Sequence, residues 1–273
     1  MPNWVVNKIE FSGKQENIDK VLSLIKGDED LFDFNQLIPM PARLNLTSGG
    51  NQNEAMMYAL SKKEPAERDS IIAKFTTRQA FLYTSYFDKI SKHVTKERIK
   101  NALEQFNSGN GPLATKRIYN NFGIKTFEDL GNAYINNMLE YGYDTWYDWS
   151  CAKWGTKWNA CDVYMETENT LVFNTAWSAP LPVLDKLAEL CYKNDVEFTG
   201  RWADEDAGCN VGVFESDCSY DDYWFSYDYI ENQSNEAYEI YSELHGYNDC
   251  IGQDEDGNWT HYDCDDCPNK DCC

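Results

Sequence analysis

Apolar positions along this chain follow two spacings, and the change from one to the other divides it. Trp4 to Phe11 alternates in part and is rich in β-formers, which predicts a strand closed by Gly13. Ile18, Val21, Leu22 and Ile25 then recur at helical spacing within Glu16–Ile25. The prolines of Leu37-Ile38-Pro39-Met40-Pro41 stop helix continuation and fix an extended exit. A second β-rich group sits past the middle of the chain. Trp154–Val163 and Leu171–Trp177 flank the polar stretch Glu166–Thr170, which predicts a β-hairpin. Pro182 suits a helix start, and Leu184, Leu187, Leu190 and Cys191 share one face of the helix expected to Asn194. Asp195–Ala203 and Gly208–Glu215 read as two more strands. Strand, helix, strand, strand, helix, strand is the split βαβ order. It predicts an α+β, ferredoxin-like antiparallel sheet with helices on one face.

A helical stretch interrupts this order. Predicted helices run over Glu54–Lys62, Ala66–Ser91, Lys96–Phe106, Ala114–Asn121 and Phe127–Tyr141, with a short aromatic one near Thr145–Lys153. Gly109-Asn110-Gly111-Pro112 and Gly123 break it. Ile118, Phe122, Ile124, Leu130 and Ile135 are expected to form its small core. The expected organisation is a ferredoxin-like core from 1–41 and 150–215, a helical insertion at 42–149, and an acidic, Cys-rich C-terminal extension at 216–273.

Charge sharpens this division. The net charge is −22 over 273 residues. Residues 1–150 are close to neutral, with 18 basic against 19 acidic side chains. Residues 196–273 hold only Arg201 and Lys270 against 21 acids. Such a field disfavours direct binding of nucleic acid and favours a partner with a basic surface. The bland alternative is a solubilising acidic face. No apolar run of about eighteen residues marks a membrane span. Met1-Pro2-Asn3-Trp4 lacks the basic and apolar regions of a signal peptide. The chain is therefore expected in the cytoplasm, with mostly reduced thiols.

Four separate stretches carry a resemblance. Met1-Pro2-Asn3-Trp4 with Asn7 is the first, and Phe32-Asp33-Phe34-Asn35 with Leu37-Ile38-Pro39-Met40-Pro41 the second. Trp154 to Val163 and Thr175-Ala176-Trp177-Ser178 complete the set. Together they resemble the YubB-type ferredoxin-like family of phage and plasmid proteins, over about 1–41 and 150–215. Val5 stands where the family often has Cys, and Ala179 where it has an extra proline. The family name describes a fold and not iron–sulfur chemistry, and no catalytic residues carry over. The resemblance implies a mobile-element origin, and in bacteria that means the cytoplasm of a host cell.

Candidate chemistry is sparse. Trp154, Trp158 and Trp177 read as cross-strand core aromatics before they read as a stacking platform. Lys157, Asn159 and Asp162 are polar-pocket candidates, although a hairpin start needs such groups for its own turn. Cys264, Cys267, Cys272 and Cys273 suggest zinc ligation, through the knuckle spacing of the first two. The adjacent Cys272-Cys273 pair argues against it and leaves disulfides or an unstructured end as alternatives. Asp254-Glu255-Asp256-Gly257-Asn258 lacks the closing glutamate of a calcium loop and reads as a turn between Cys250–Gln253 and Trp259–Tyr262. Asp204, Glu205 and Asp206 could bind a divalent metal for hydrolysis, although such adjacency near a strand end is more often a solvated turn. His93, His245 and His261 lie on unlike segments, and no phosphate-cradling loop or nucleophile elbow is present.

The sequence therefore points first to a non-enzymatic binding protein that inhibits a host anti-phage defence protein. Its expected target is a DNA-binding nuclease complex of the restriction, CRISPR or Gabija type. The expected contacts are Asp217, Asp221, Asp222, Asp254, Glu255, Asp256, Asp265 and Asp266. A metal-dependent hydrolase and a structural accessory protein are the alternatives. Tyr220 to Tyr227 is rich in Tyr and Trp, which suggests a homo-oligomer covering the second face or an edge of the sheet.

Overall fold

The computed structural model of the chain describes residues 2–78, 93–109, 113–219, 222–246, 251–253, 257 and 259–261. They form two compact units, Met1–Pro39 with Ser150–Cys273, and Met40–Trp149. The chain opens with strand β1 (Trp4–Gly13) and helix α1 (Gln15–Ile25). The helical unit follows with α2 (Gln52–Ser61), α3 (Pro65–Arg78), α4 (Lys96–Ser108), α5 (Leu113–Asn121) and α6 (Phe127–Tyr141). Helix α7 (Trp146–Lys153) leads back into the first unit, which continues with β2 (Cys161–Thr167), β3 (Thr170–Ala176) and α8 (Leu181–Tyr192). It ends with β4 (Val196–Asp204), β5 (Gly212–Asp217), β6 (Trp224–Tyr229), α9 (Asn235–His245), β7 (Ile251–Gln253) and β8 (Trp259–His261).

Six strands form one antiparallel sheet in the order β2-β3-β1-β4-β5-β6. Its first four positions are two split βαβ units, the ferredoxin-like arrangement. Strand β1 is central, with Val5 opposite Thr175 of β3 and Asp204 of β4. Its alternation is strict: Val5, Asn7, Ile9 and Phe11 are buried on one face. On β4 the same face carries Val196, Phe198, Gly200 and Trp202. The apolar sides of α1 (Ile18, Val21, Ile25) and α8 (Val183, Leu184, Leu187, Cys191) complete this core. Gly212 is needed there, because a Cβ on it would lie 2.1 Å from the Trp202 ring.

The second face is partly covered by α9, a helix that the sequence pattern did not reveal. Ser234 caps it by accepting from the Ala237 N–H. Ala237, Tyr238, Ile240 and Tyr241 then pack with Ala203, Val211 and Ile251. Beside this core, Lys8 pairs with Glu166 (2.8 Å) and Glu243 (3.3 Å). Arg201 pairs with Glu243 (2.6 Å) and Glu10 (3.4 Å).

Two further differences from the sequence reading have local causes. The hairpin's first strand starts at Cys161 and not near Trp154. Residues before it are held by side chains instead of a ladder: Thr156 Oγ1 donates to Ala176 O (2.8 Å), and Ser150 Oγ donates to Lys157 O (2.7 Å). The sheet also continues past residue 215, because β6 adds to β5. Strands β7 and β8 pair, Ile251 opposite His261, while the turn expected at Asp254–Asn258 lies, apart from Gly257, outside the described residues.

In the helical unit, Ile124, Leu130 and Ile135 join the core with Phe127, Tyr134, Ala55 and Ala59. Phe122, expected there, is 37 % exposed instead. Gly131 lets α6 meet α2, since a Cβ on it would overlap the Ala55 carbonyl. The expected helix Ala66–Ser91 is present as Pro65–Arg78, and its remainder lies outside the described residues.

Candidate partner-binding surface

The acidic part of the chain builds its surface on β4, β5 and β6. Opposite residues of an antiparallel pair share a face. Glu215 lies opposite Thr199 and Ser226, Val213 opposite Arg201 and Asp228, and Asp217 opposite Trp224. Glu197, Glu215, Asp217 and Asp228 therefore share the face on which α9 sits, farther out along the sheet. Glu215 and Asp228 are exposed, Glu197 and Asp217 half-buried. The one cation on β4, β5 and β6, Arg201, is paired with Glu10 and Glu243, and Lys8 across from it on β1 with Glu166 and Glu243. Hydrogen bonds from Ser219 hold the Asp217 carboxyl below the usual range, so it is charged at neutral pH. Glu197 accepts from the Cys218 thiol at 3.1 Å. Burial, and then Glu197, push that thiol up to about 11.

The other face of β6 is aromatic. Phe225, Tyr227 and Tyr229 follow one another at ring separations of 6.1 Å, and Tyr229 meets the Trp202 ring edge-on at 5.3 Å. Tyr227 and Tyr229 are 46 % and 62 % exposed. This strand was missed in the sequence reading, where the period-2 run Phe225-x-Tyr227-x-Tyr229 could have shown it.

Of the expected contact residues, Asp217 ends β5 and Asp222 is exposed, accepting from the Tyr223 N–H at 2.8 Å. Asp221, Asp254, Glu255, Asp256, Asp265 and Asp266 lie outside the described residues, as do Cys264, Cys267, Cys272 and Cys273. Glu215, Asp228 and Glu197 were missed as individual positions. Their neighbours across the sheet, and not the local acid count, make them a patch.

A second cluster sits where β1 begins and β3 and β4 end. The Lys157 ammonium lies over Trp158 (4.5 Å) and Trp177 (4.6 Å), and Trp158 tilts against Trp4 at 5.8 Å. Asp204 is buried beneath. It accepts from the side chains of Asn3 (3.3 Å) and Asn210 (3.2 Å) and from the Asp206 N–H (3.0 Å). Asp206 accepts from Asn3 at 3.0 Å, and Glu205 is exposed. Asp204 and Asp206 thus meet at the Asn3 amide, but the three carboxylates do not converge as a set. Among the described residues no group of three His, Cys, Asp or Glu side chains is placed to hold a metal ion.

Lys157, Asn159 and Asp162 do not converge either. Asn159 bonds to Asp33 (2.7 Å) and to the Phe34 N–H (2.8 Å), while Asp162 accepts from Asn174 (3.1 Å). Trp154 is buried, donating to Ile38 O at 2.9 Å, whereas Trp177 is 40 % exposed and corrects the expectation of a core aromatic. Burial pushes up the thiols of Cys161, Cys191 and Cys209, a state that disfavours nucleophilic thiolate. His245 stacks on Tyr241 and its Nε2 lies 3.1 Å from Ala203 O. No helix among the described residues is long and apolar enough to cross a membrane.

No curated protein matches this sequence. Among solved structures, the crystal structure of the protein Api92 from Yersinia pseudotuberculosis is similar at 12 % identity, with a TM-score of 0.35. The alignment covers 83 % of this chain and 98 % of that one. Residues 153–250, from the end of α7 through β6 and α9, match the family described as the ferredoxin-like domain in Api92-like protein.

Proposed function

We propose that this is a non-enzymatic binding protein of a mobile element, which docks its acidic sheet surface on a basic surface of a host protein. We place it with the YubB-type proteins and read its target as a DNA-binding nuclease complex of host anti-phage defence, in the host cytoplasm. The observation that carries the reading is the four-carboxylate face of β4–β6, three of whose members, Glu215, Asp217 and Asp228, lie in the stretch without Lys or Arg between Arg201 and Lys270. A DNA-binding groove is lined by Lys and Arg, and carboxylates on a rigid sheet imitate the charge of phosphates. Complementary charge speeds association and makes it sensitive to salt. The exposed tyrosines on the opposite face of the edge strand β6 supply, to a partner that reaches around this edge, the apolar contacts that charge alone lacks.

The test is phage survival on host strains carrying single restriction, CRISPR-type or Gabija-type systems, with and without this gene. Survival should rise on at least one strain, and Glu215→Lys with Asp228→Lys should abolish the gain. Binding of the purified target should weaken by about tenfold with those reversals and lose its salt dependence. Equal survival on every strain, or undiminished protection by the doubly reversed variant, overturns the reading.

A further inference from the structure

The two edges of the sheet are built differently. Strand β2 forms one edge, and its pairing with β3 shifts register twice, between Cys161 and Tyr164 and between Met165 and Thr167. Such bulges blunt an edge against added strands. Strand β6 forms the other edge. Its register with β5 is unbroken from Trp224 to Tyr229, and it contains neither Lys nor Pro. Among the described residues no strand pairs with its outer side.

The direction of its backbone groups follows from one bond. Ile230 N–H donates to Val211 O at 2.9 Å, which makes 211 and 230 a hydrogen-bonded pair. Such pairs alternate along an antiparallel ladder. Asp228, Ser226 and Trp224 therefore turn their N–H and C=O towards β5. Phe225, Tyr227 and Tyr229 turn theirs outward. These three residues also present the aromatic face, while Glu215, Asp217 and Asp228 lie on the other.

We propose that β6 is a strand-addition edge, on which an extended segment of a basic partner with alternating Lys or Arg and apolar side chains pairs along Phe225–Tyr229. Alternation places the partner's cations over Glu215 and Asp228 and its apolar side chains against Tyr227 and Tyr229. The charge complementarity rests on the proposed function above. The pairing geometry rests on the edge itself.

The probe is a synthetic peptide of alternating Lys and Val, compared with one of the same composition in which all Lys precede all Val. Full-length protein should bind the alternating peptide about tenfold more tightly. Hydrogen exchange at the amides of Phe225, Tyr227 and Tyr229 should slow on binding. Tyr227→Pro removes one outward donor and keeps the β5 ladder, and should lose about tenfold in affinity. Tyr227→Ala keeps the N–H and should lose less. If Tyr227→Pro fails to fold, amide protection in the unaltered protein decides.

Equal affinity for both peptides, abolished by salt, would overturn strand addition and leave the acidic docking surface standing. Failure of both peptides to bind at low salt would overturn both. Outward amides already protected in the free protein would also overturn the proposal. Concentration-dependent protection would assign the edge to a second copy, and concentration-independent protection to this chain's own C-terminal residues.

Discussion

Asn210 donates its side-chain amide to the carbonyl of Trp177 at 3.2 Å, and both residues have left-handed backbones, with φ of 48° and 76°. A bulky residue at such a φ is costly and persists only where its surroundings fix it. Here the Trp177 N–H donates to Asn3 O at 2.9 Å, and Asn3 and Asn210 both hold Asp204. Asp204 is the bracket that joins the start of β1 to the ends of β3 and β4.

Replacing Asp204 by Ala should therefore destabilise the sheet unit by about 2 kcal/mol, as three half-buried hydrogen bonds lose their buried acceptor. Glu205→Ala should change stability by under about 0.5 kcal/mol. Urea unfolding of the variants measures this. Equal, small effects at both positions would remove Asp204 from its structural role.

The tryptophans separate in the same way. Trp154 is 5 % exposed, meets Phe34 edge-on at 5.8 Å and donates to Ile38, so Trp154→Ala should cost about 3–5 kcal/mol. Trp177→Ala should cost about 1 kcal/mol, chiefly the stacking on Lys157. Thermal unfolding monitored by circular dichroism distinguishes the two, and a larger loss at Trp177 than at Trp154 contradicts the packing described.

The helical unit has its own titrating group. Asp144 is 1 % exposed, and burial pushes its carboxyl up to about 6, offset in part by the hydrogen bond from Gln52 and reinforced by Asp148. A folded-state value above the unfolded one means that the folded chain holds this proton more tightly. The stabilising contribution is full below the unfolded value of 3.8. It is lost as pH rises towards 6, a total of about 3 kcal/mol. Asp144→Asn should flatten this dependence and stabilise the unit at neutral pH, with little gain near pH 4. Denaturant titrations across that range measure the difference, and a difference that shrinks as pH rises excludes this cause.

Legibility in the sequence followed the kind of constraint. Phe127–Tyr141 shows as a helix end to end, because Thr126 and Asp129 form a capping box and Gly142 closes it with φ of 81°. The ferredoxin-like order was readable because β1 and α8 carry strong periodicity and β3 is a short, nearly continuous apolar run. Helix α9 escaped because two of its buried positions are Tyr238 and Tyr241, with Glu239 between them, and tyrosine gives a weak inside–outside signal. Asp204, Glu205 and Asp206 looked like a metal cluster because sequence adjacency carries no direction. Two of the three are occupied by Asn3, from the far end of the chain, and Asp204 also by Asn210 of the following loop.

What the sequence by itself determined is periodicity and charge: which segments become strands or helices, and that the C-terminal third is acidic. Both are sums over neighbouring residues, and burial against water selects them locally. The tertiary structure decided adjacency. It set β6 at an edge beside β5, placed Glu197, Glu215, Asp217 and Asp228 on one face, and buried Asp204 as a bracket. It also closed the Lys157 sandwich between Trp158 and Trp177. Cross-strand register and the packing of distant side chains fix such relationships, and residues that meet only in the folded chain leave no mark of their meeting in its linear order.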